Sequence, residues 1–180
     1  MKIAVFSDSH GRNDLMEEVM GRLYRTCDVF IHAGDGASGL FDLSAGYPER
    51  MYIAVRGNCD GFSPYPLRGD ETADLDGHRI FISHGDRFGV KLSPEGMRSA
   101  ALSRGADIAI FGHTHKKYYE FSYVGSEEKL KYAAMNPAGR CPDAVHLFNP
   151  GSIGAPKDGR PSWGVIELKN GAALFSHGEL

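Results

Sequence analysis

Cysteine is scarce in this chain, and basic charge is not in excess. Cys27, Cys59 and Cys141 are the three cysteines of 180 residues. Their odd number and lack of C-x-x-C spacing exclude a disulfide scaffold and a cysteine-rich zinc module, and suit a reducing compartment. The formal net charge is -3, which leaves no broad basic surface for long nucleic acid. No apolar run approaches the roughly 18–20 residues of a membrane span. Nor does the start read as a secretory leader, because the apolar stretch after Lys2 runs straight into Asp8. A cytoplasmic protein without a membrane association is expected. Apolar residues make up 42% and charged residues 24%, so length and composition fit one globular domain spanning 1–180.

What is abundant is a repeated punctuation. Five short apolar runs each end on polar, metal-competent side chains: "KIAVFSDSH" on Asp8 and His10, "VFIHAGDG" on Asp35, "MYIAVRGNCD" on Asn58, "RIFISHGD" on His84, and "DIAIFGHTH" on His113 and His115. Runs of this length rich in Ile, Val and Phe are strand-like, and their poor alternation indicates strands covered on both faces. Between them, Leu15, Met16, Val19, Met20, Leu23 and Tyr24 recur at helical spacing, with Asp14 and Glu17 as the expected cap. A second helix is expected from Ser93 to Arg104, with Pro94 in its first turn and Gly105 past its end. Strands and helices therefore alternate, and polar residues gather beyond the strands' carboxyl ends, the edge at which open α/β sheets bind ligands.

Imidazole nitrogens combined with carboxylate and amide oxygens suit Mn, Fe, Co, Ni or Zn. Asp8, His10, Asp35, Asn58, His84, His113 and His115 exceed what one four- to six-coordinate ion takes alongside water. Two ions sharing a ligand are expected, with Asp35, flanked by glycines, offering one oxygen to each. Two divalent cations against two carboxylates leave two positive charges in excess, so the substrate is an anion. A pair of ions about 3.5–4 Å apart clamps a phosphoryl group and converts a bridging water into hydroxide for in-line attack. Any one of these motifs alone would read equally well as a polar strand end; their ordered recurrence is what separates them from that reading. His32, His78, His146 and His177 lack such a setting and are read as hydrogen-bonded structural histidines.

Together, Asp8-x-His10, Gly34-Asp35, Gly57-Asn58-Cys59-Asp60, His84-Gly85 and Gly112-His113-Thr114-His115 resemble the signature of calcineurin-like metallophosphoesterases. The short chain and "NPGSIGAPKDGRPSWG" (149–164) are similar, more narrowly, to the compact YfcE-type prokaryotic phosphodiesterases. The resemblance runs from Met1 to about Val165. It implies an α/β fold, a four-layer α/β/β/α sandwich of two mixed sheets with a dimetal site at one edge. It also implies hydrolysis of small phosphate esters by a metal-bridging hydroxide. Asp8, His10, Asp35 and His115 would hold one ion, and Asp35, Asn58, His84 and His113 the other. Manganese is the expected metal, with iron, zinc and nickel also found in the family. The same fold serves as a protein-binding scaffold in the retromer subunit, whose metal site is degraded; here no proposed ligand is missing. Whether the chain forms a homo-oligomer is left open.

The chain departs from the family at two positions near these motifs. Cys59 stands where many relatives carry a histidine that protonates the leaving group or binds phosphate. A thiol with a reference pKa of about 8.5 is a poor substitute, so aryl diesters should turn over better than alkyl monoesters. The simpler reading makes Cys59 a small buried residue. Asp86 stands where relatives often have a second histidine, and is read as a polar turn residue. Residues 116–148 are read as a strand hairpin, with Tyr119, Phe121 and Tyr123 on the first strand and Leu130 and Tyr132 on the second. A loop around Pro137–Pro142 follows. Arg12, Arg140, Lys157 and Arg160 lie near the motifs in sequence and offer phosphate-side contacts, although a solvated basic residue is the commoner case.

Overall fold

Four of the five apolar runs alternate poorly because both of their faces are covered; the fifth, from Met51, is a half-exposed edge strand. A computed structural model describes residues 1–136, 139 and 141–180. Their elements, in chain order, are β1 (Lys2–Phe6), α1 (Asn13–Leu23), β2 (Val29–His32), α2 (Ser38–Ser44), β3 (Met51–Ala54), β4 (Asp70–Leu75), β5 (His78–Ser83), α3 (Glu95–Ser103), β6 (Ile108–Ile110), β7 (Lys117–Tyr123), α4 (Ser126–Met135), β8 (Ala144–Pro150), β9 (Ser162–Lys169) and β10 (Ala172–Glu179). A short 3-10 turn, Asp86–Phe88, follows β5.

Two five-stranded sheets form, in the orders β10-β9-β1-β2-β3 and β4-β5-β6-β8-β7. Both are mixed. β1 runs parallel to β2 (Val5 opposite Ile31) and antiparallel to β9. β6 lies parallel between β5 and β8, and β4 and β7 close that sheet antiparallel. Successive side chains of a strand point to opposite faces. Ile3 and Val5 of β1 therefore meet Ile80, Ile82, Ile108, Ile110 and Phe148 of the other sheet. Ala4 and Phe6 face Met16, Val19 and Met20 of α1 and Leu40 of α2. On the far side, Phe81, Ala109 and Leu147 pack against Met97, Ala101 and Leu102 of α3 and Tyr132 of α4. The four-layer α/β/β/α sandwich follows directly. Each fully buried Phe or Ile contributes roughly 1.5–3 kcal/mol, so the three apolar layers hold the sheet edges rigidly in register. Among the described residues, no helix is long and apolar enough to cross a membrane.

Local expectations fared unevenly. α1 begins one residue before Asp14, after a cap at Arg12 that makes no side-chain capping bond. Asp14 sits inside the first turn, where the helix dipole favours it, and pairs with Arg12 through two contacts of 3.0 Å instead of capping with Glu17. α3 starts at Glu95, with Pro94 as its cap and Gly105 at φ +67° beyond its end.

The expected hairpin over 116–148 is a strand and a helix. Tyr119, Phe121 and Tyr123 do alternate along β7, but β7 pairs with β8, and Leu130 and Tyr132 belong to α4. Glu128 decides this locally: its carboxylate accepts the N–H of Gly125 at 3.1 Å, closing the helix start, while Arg98 of α3 binds it at 2.6 and 3.2 Å. Tyr132 is then buried against α3 and Leu130 is left exposed. Of the loop expected around Pro137–Pro142, residues 137, 138 and 140 lie outside the described residues.

Candidate metal centre

The carboxyl ends of β1, β2, β3, β5 and β6 converge at one edge between the two sheets. The turns that follow are locked to one another: the Asp8 N–H bonds Gly34 O at 2.9 Å, His10 N–H bonds Asp35 O at 3.1 Å, and Gly112 N–H bonds His84 O at 3.1 Å. The backbone bends so sharply there that Asp8, His10, Asp35, His113 and His115 all have positive φ, between 46° and 68°. L-residues adopt this conformation at a cost of about 1 kcal/mol or more each. Close approach fixes two glycines. A Cβ on Gly112 would lie 1.8 Å from Ser7 Oγ, and one on Gly57 would lie 2.2 Å from Asp35 Oδ1.

Asp8 is fully buried. Its Oδ2 accepts the Ser7 hydroxyl at 2.7 Å and the His113 N–H at 3.0 Å. Its Oδ1 is buried too and has no hydrogen bond of acceptable geometry, although His115 Nε2 stands 3.2 Å away. His115 donates Nδ1–H to Ala155 O at 2.6 Å, which leaves the Nε2 lone pair directed towards Asp8 Oδ1 and towards His10 Nε2 at 3.4 Å. His84 is held in the same way. Its Nδ1–H donates to Ala33 O at 2.8 Å, and Nε2 then faces Asn58 Oδ1 at 3.2 Å, Asp35 Oδ2 at 3.3 Å and His113 Nδ1 at 3.1 Å. So many lone-pair atoms aimed at each other cannot all be satisfied by protons. An orphaned carboxylate oxygen beside imidazole lone pairs is the donor set that a divalent cation fits.

All seven residues singled out in sequence are brought together. Groups able to hold an ion are Asp8 with His10 and His115, and Asp35 with His84 and His113. Asp35 lies between them: Oδ2 is 3.3 Å from His84 Nε2 and 4.0 Å from His10 Nε2. The expectation of one Asp35 oxygen per ion needs revision, because Oδ1 accepts the Cys59 N–H at 2.7 Å and only Oδ2 faces both groups. Burial works against ionisation of both carboxylates, but His84 and the Cys59 N–H hold Asp35, and His115 and His84 hold Asp8, below the usual carboxylate range. The adjacent Asp8 carboxylate raises the pKa of His115. For His84, burial lowers it, but Asp35 and Asp8 outweigh burial and the net shift is upward.

Cys59 is exposed, not a small buried residue. Its sulfur accepts Asn58 Nδ2–H at 3.1 Å and stands close to His10 and Asp35. The neighbouring Asp35 carboxylate pushes the thiol pKa up. Asp86 opens the 3-10 turn, and its carbonyl accepts the Gly89 N–H at 3.3 Å, as a turn residue should. Arg12 is turned to Asp14 and Arg160 is exposed, while Arg140 lies outside the described residues.

Sequence reasoning missed the residues that brace the turns. Asp60 takes four backbone N–H groups: Asp35 at 3.0 Å, Gly36 at 2.6 Å, Ala37 at 3.3 Å and Gly57 at 2.8 Å. It clamps the turn after β2 to the turn after β3. Asn149 does the same for β6, donating to Gly112 O at 2.8 Å and Thr114 Oγ1 at 3.1 Å, and Ser152 donates to Asp8 O at 2.8 Å. The Asn-Pro-Gly-Ser stretch was the available signal, but nothing in it says which loop it would brace.

The four histidines set aside as structural are so placed. His78 contacts Asp107 at 2.5 Å, His177 donates to Asn149 O at 2.8 Å, and His146 stacks on Phe175. His32 accepts the Gly34 N–H at 3.2 Å and bonds Ser9 Oγ at 3.0 Å. Complete burial pushes its pKa from 6.5 down to about 4. The folded state therefore binds fewer protons than the unfolded chain between these values, and stability falls as pH drops through that window. From pH 7 to 4.5, His32 alone removes on the order of 2 kcal/mol. Urea unfolding of metal-free protein at both pH values should show His32→Gln losing that much less than wild type. Equal losses would reject the assignment.

Comparison with known proteins places this arrangement. A family profile described as a calcineurin-like phosphoesterase superfamily domain matches residues 1–171. A probable metallophosphoesterase of Bacillus subtilis, YsnB, is 30% identical over 176 residues, covering 96% of this chain and 88% of that protein. The phosphodiesterase YfcE of Escherichia coli is 28% identical over 188 residues, covering 93% and 88%. Among solved structures, a predicted phosphoesterase of Streptococcus pneumoniae superposes with a TM-score of 0.70 at 23% identity, over 99% of this chain and 88% of that one. With 171 residues matched from the first onward, every donor turn falls inside the profile, and the chain belongs to the calcineurin-like phosphoesterase superfamily.

Proposed function

We propose that this chain is a dimetal-dependent phosphodiesterase of small phosphate esters. The observation carrying the reading is Asp35 Oδ2, one carboxylate oxygen set between two clusters of imidazole lone pairs, 3.3 Å from His84 and 4.0 Å from His10. Asp8, His10, Asp35 and His115 would hold one divalent ion, and Asp35, Asn58, His84 and His113 the second. Manganese is the expected metal, with iron, zinc or nickel as alternatives, and the cytoplasm is the expected place of action. Such a pair of ions, when bound, supplies positive charge to the phosphoryl oxygens and acidifies a water for attack.

The chain's own residues do the rest. Ala33 O and Ala155 O fix the tautomers of His84 and His115, so that each presents Nε2 to the centre. Ser7 and the His113 N–H hold one oxygen of Asp8 and leave the other free to bind. His10, with 30% of its side chain exposed, lies on the solvent side, where substrate enters. Cys59 keeps its proton at neutral pH and donates weakly, so the leaving group departs without a strong acid. The phosphodiesterase named among the relatives supports this reading.

Dialysis against EDTA should abolish hydrolysis of bis(p-nitrophenyl) phosphate, and added manganese should restore it. Turnover of that diester should exceed that of an alkyl monoester by roughly 100-fold, the low end of what a positioned general acid contributes. Full activity in metal-stripped protein would refute the proposal. Equal rates on the two esters would refute the role given to Cys59.

A further inference from the structure

Next to the turn that carries His113 and His115 lies a cavity of about 410 Å³ with Thr114 in its wall. Its volume is in the range of small-molecule sites. Four ammonium-bearing side chains line it, those of Lys91, Lys116, Lys117 and Lys157, against an apolar wall of Val90, Phe111 and Tyr118. The Lys117 ammonium is taken by Glu179, and its backbone N–H donates to Asp158 at 2.6 Å. Lys91, Lys116 and Lys157 are exposed, and among the described residues no acid lies within ion-pair distance of them. Three like charges collected around one hollow repel each other and focus a positive field into it, an arrangement that an anion relieves.

The cavity is tied to the metal centre by covalent and hydrogen-bonded links. Thr114 separates His113 from His115 in the chain, and the Lys157 N–H donates to the His115 carbonyl at 2.9 Å. Lys91 is near enough to disfavour the charged form of His113, as Lys157 does for His115. Asp8 and Asp86 are the acids whose charge reaches His113, and neither lines the cavity. A substrate phosphodiester at the metal centre would therefore extend one arm over Thr114 into the hollow.

We propose that this hollow is the subsite for a second anionic group of the substrate, making the preferred substrate a phosphodiester with an additional phosphate on one arm. Lys91, Lys116 and Lys157 are its counter-ions, and Val90, Phe111 and Tyr118 pack against the ring or sugar between the two phosphates. The inference deepens the phosphodiesterase reading and rests on it for what occupies the neighbouring centre, but the preference of the hollow can be measured without metal.

The test uses the dinucleotide ApA, with one phosphodiester, and pApA, the same molecule with a terminal phosphate. Calorimetric binding to EDTA-treated wild-type protein should be at least tenfold tighter for pApA at low salt, with the gap narrowing at high salt. Manganese-loaded protein should show the same ordering in KM. The triple variant Lys91→Ala, Lys116→Ala, Lys157→Ala should bring the ratio of affinities close to one, and the triple Lys→Arg variant should keep it. Equal affinity of the wild type for the two molecules overturns the inference, as does absence of measurable binding to either. A folded triple alanine variant, judged by circular dichroism, that keeps the preference also overturns it. If the preference holds but manganese-loaded protein fails to hydrolyse bis(p-nitrophenyl) phosphate, the phosphodiesterase reading falls and the subsite stands.

Discussion

Asp35→Asn is expected to lower phosphodiester hydrolysis about a thousandfold while leaving the fold intact. The substitution is nearly isosteric, and the amide oxygen can still accept the Cys59 N–H that Oδ1 now accepts at 2.7 Å. What it removes is the negative charge at Oδ2, the atom facing both His84 and His10. A bridging position neutralises part of the repulsion between two cations, so its loss weakens both sites together. Several kcal/mol of transition-state stabilisation depend on such charge, and about 4 kcal/mol corresponds to three decades in rate. Initial rates across a manganese titration, with calorimetry of metal binding, would measure the effect. A variant that binds two ions as tightly as wild type, or hydrolyses at a comparable rate, would sink the bridging role.

The second large effect is expected at a residue outside the donor set. Asp60→Ala strips the acceptor from four backbone N–H groups, those of Asp35, Gly36, Ala37 and Gly57. Buried unsatisfied donors cost roughly 1–3 kcal/mol each, less where water can reach them. These are part-buried, so a total near 2–4 kcal/mol and a melting temperature lower by roughly 5–10 °C are expected. The turn that presents Asp35 would also lose its link to the turn presenting Asn58. Residues that orient metal ligands typically contribute 10–100-fold in affinity, and a drop of that size in manganese affinity is expected. Asp60→Asn should fail similarly, because an amide N–H would point at backbone donors. Unchanged melting and unchanged metal affinity in Asp60→Ala would show the clamp to be dispensable.

The contrast between Asp35 and Asp60 marks how far the sequence could be read. The convergence of all seven candidate donors was legible because each ends an apolar run, and a polar group at that point needs a reason. β1, β2, β5 and β6 were legible with them, being buried on both faces, and β3 was legible from its apolar run although it is a half-exposed edge strand. β4 was not, since Asp70, Glu71 and Asp74 place acids along a half-exposed edge strand. β10 was illegible for a similar reason, with most of its residues facing water. α4 was misread because the aromatic alternation of β7 suggested a returning strand, while the Arg98–Glu128 contact that secures the helix joins residues 30 apart in sequence. Asp60 stood inside a motif with no role assigned to it. Its partners are main-chain amides of another loop, and those leave no trace in side-chain pattern. That only one Asp35 oxygen faces the imidazoles was hidden for the same reason, because the competitor for its other oxygen is the N–H of Cys59.

The left-handed backbone at Asp8, His10, Asp35, His113 and His115 has an evolutionary consequence. Glycine or asparagine would sit in those conformations with less tension, so replacing any of these candidate donors would relieve backbone strain. A lineage released from the need for phosphate chemistry would shed these side chains readily and become sturdier as it did so. Inert descendants of this architecture should therefore melt at higher temperatures than their active cousins.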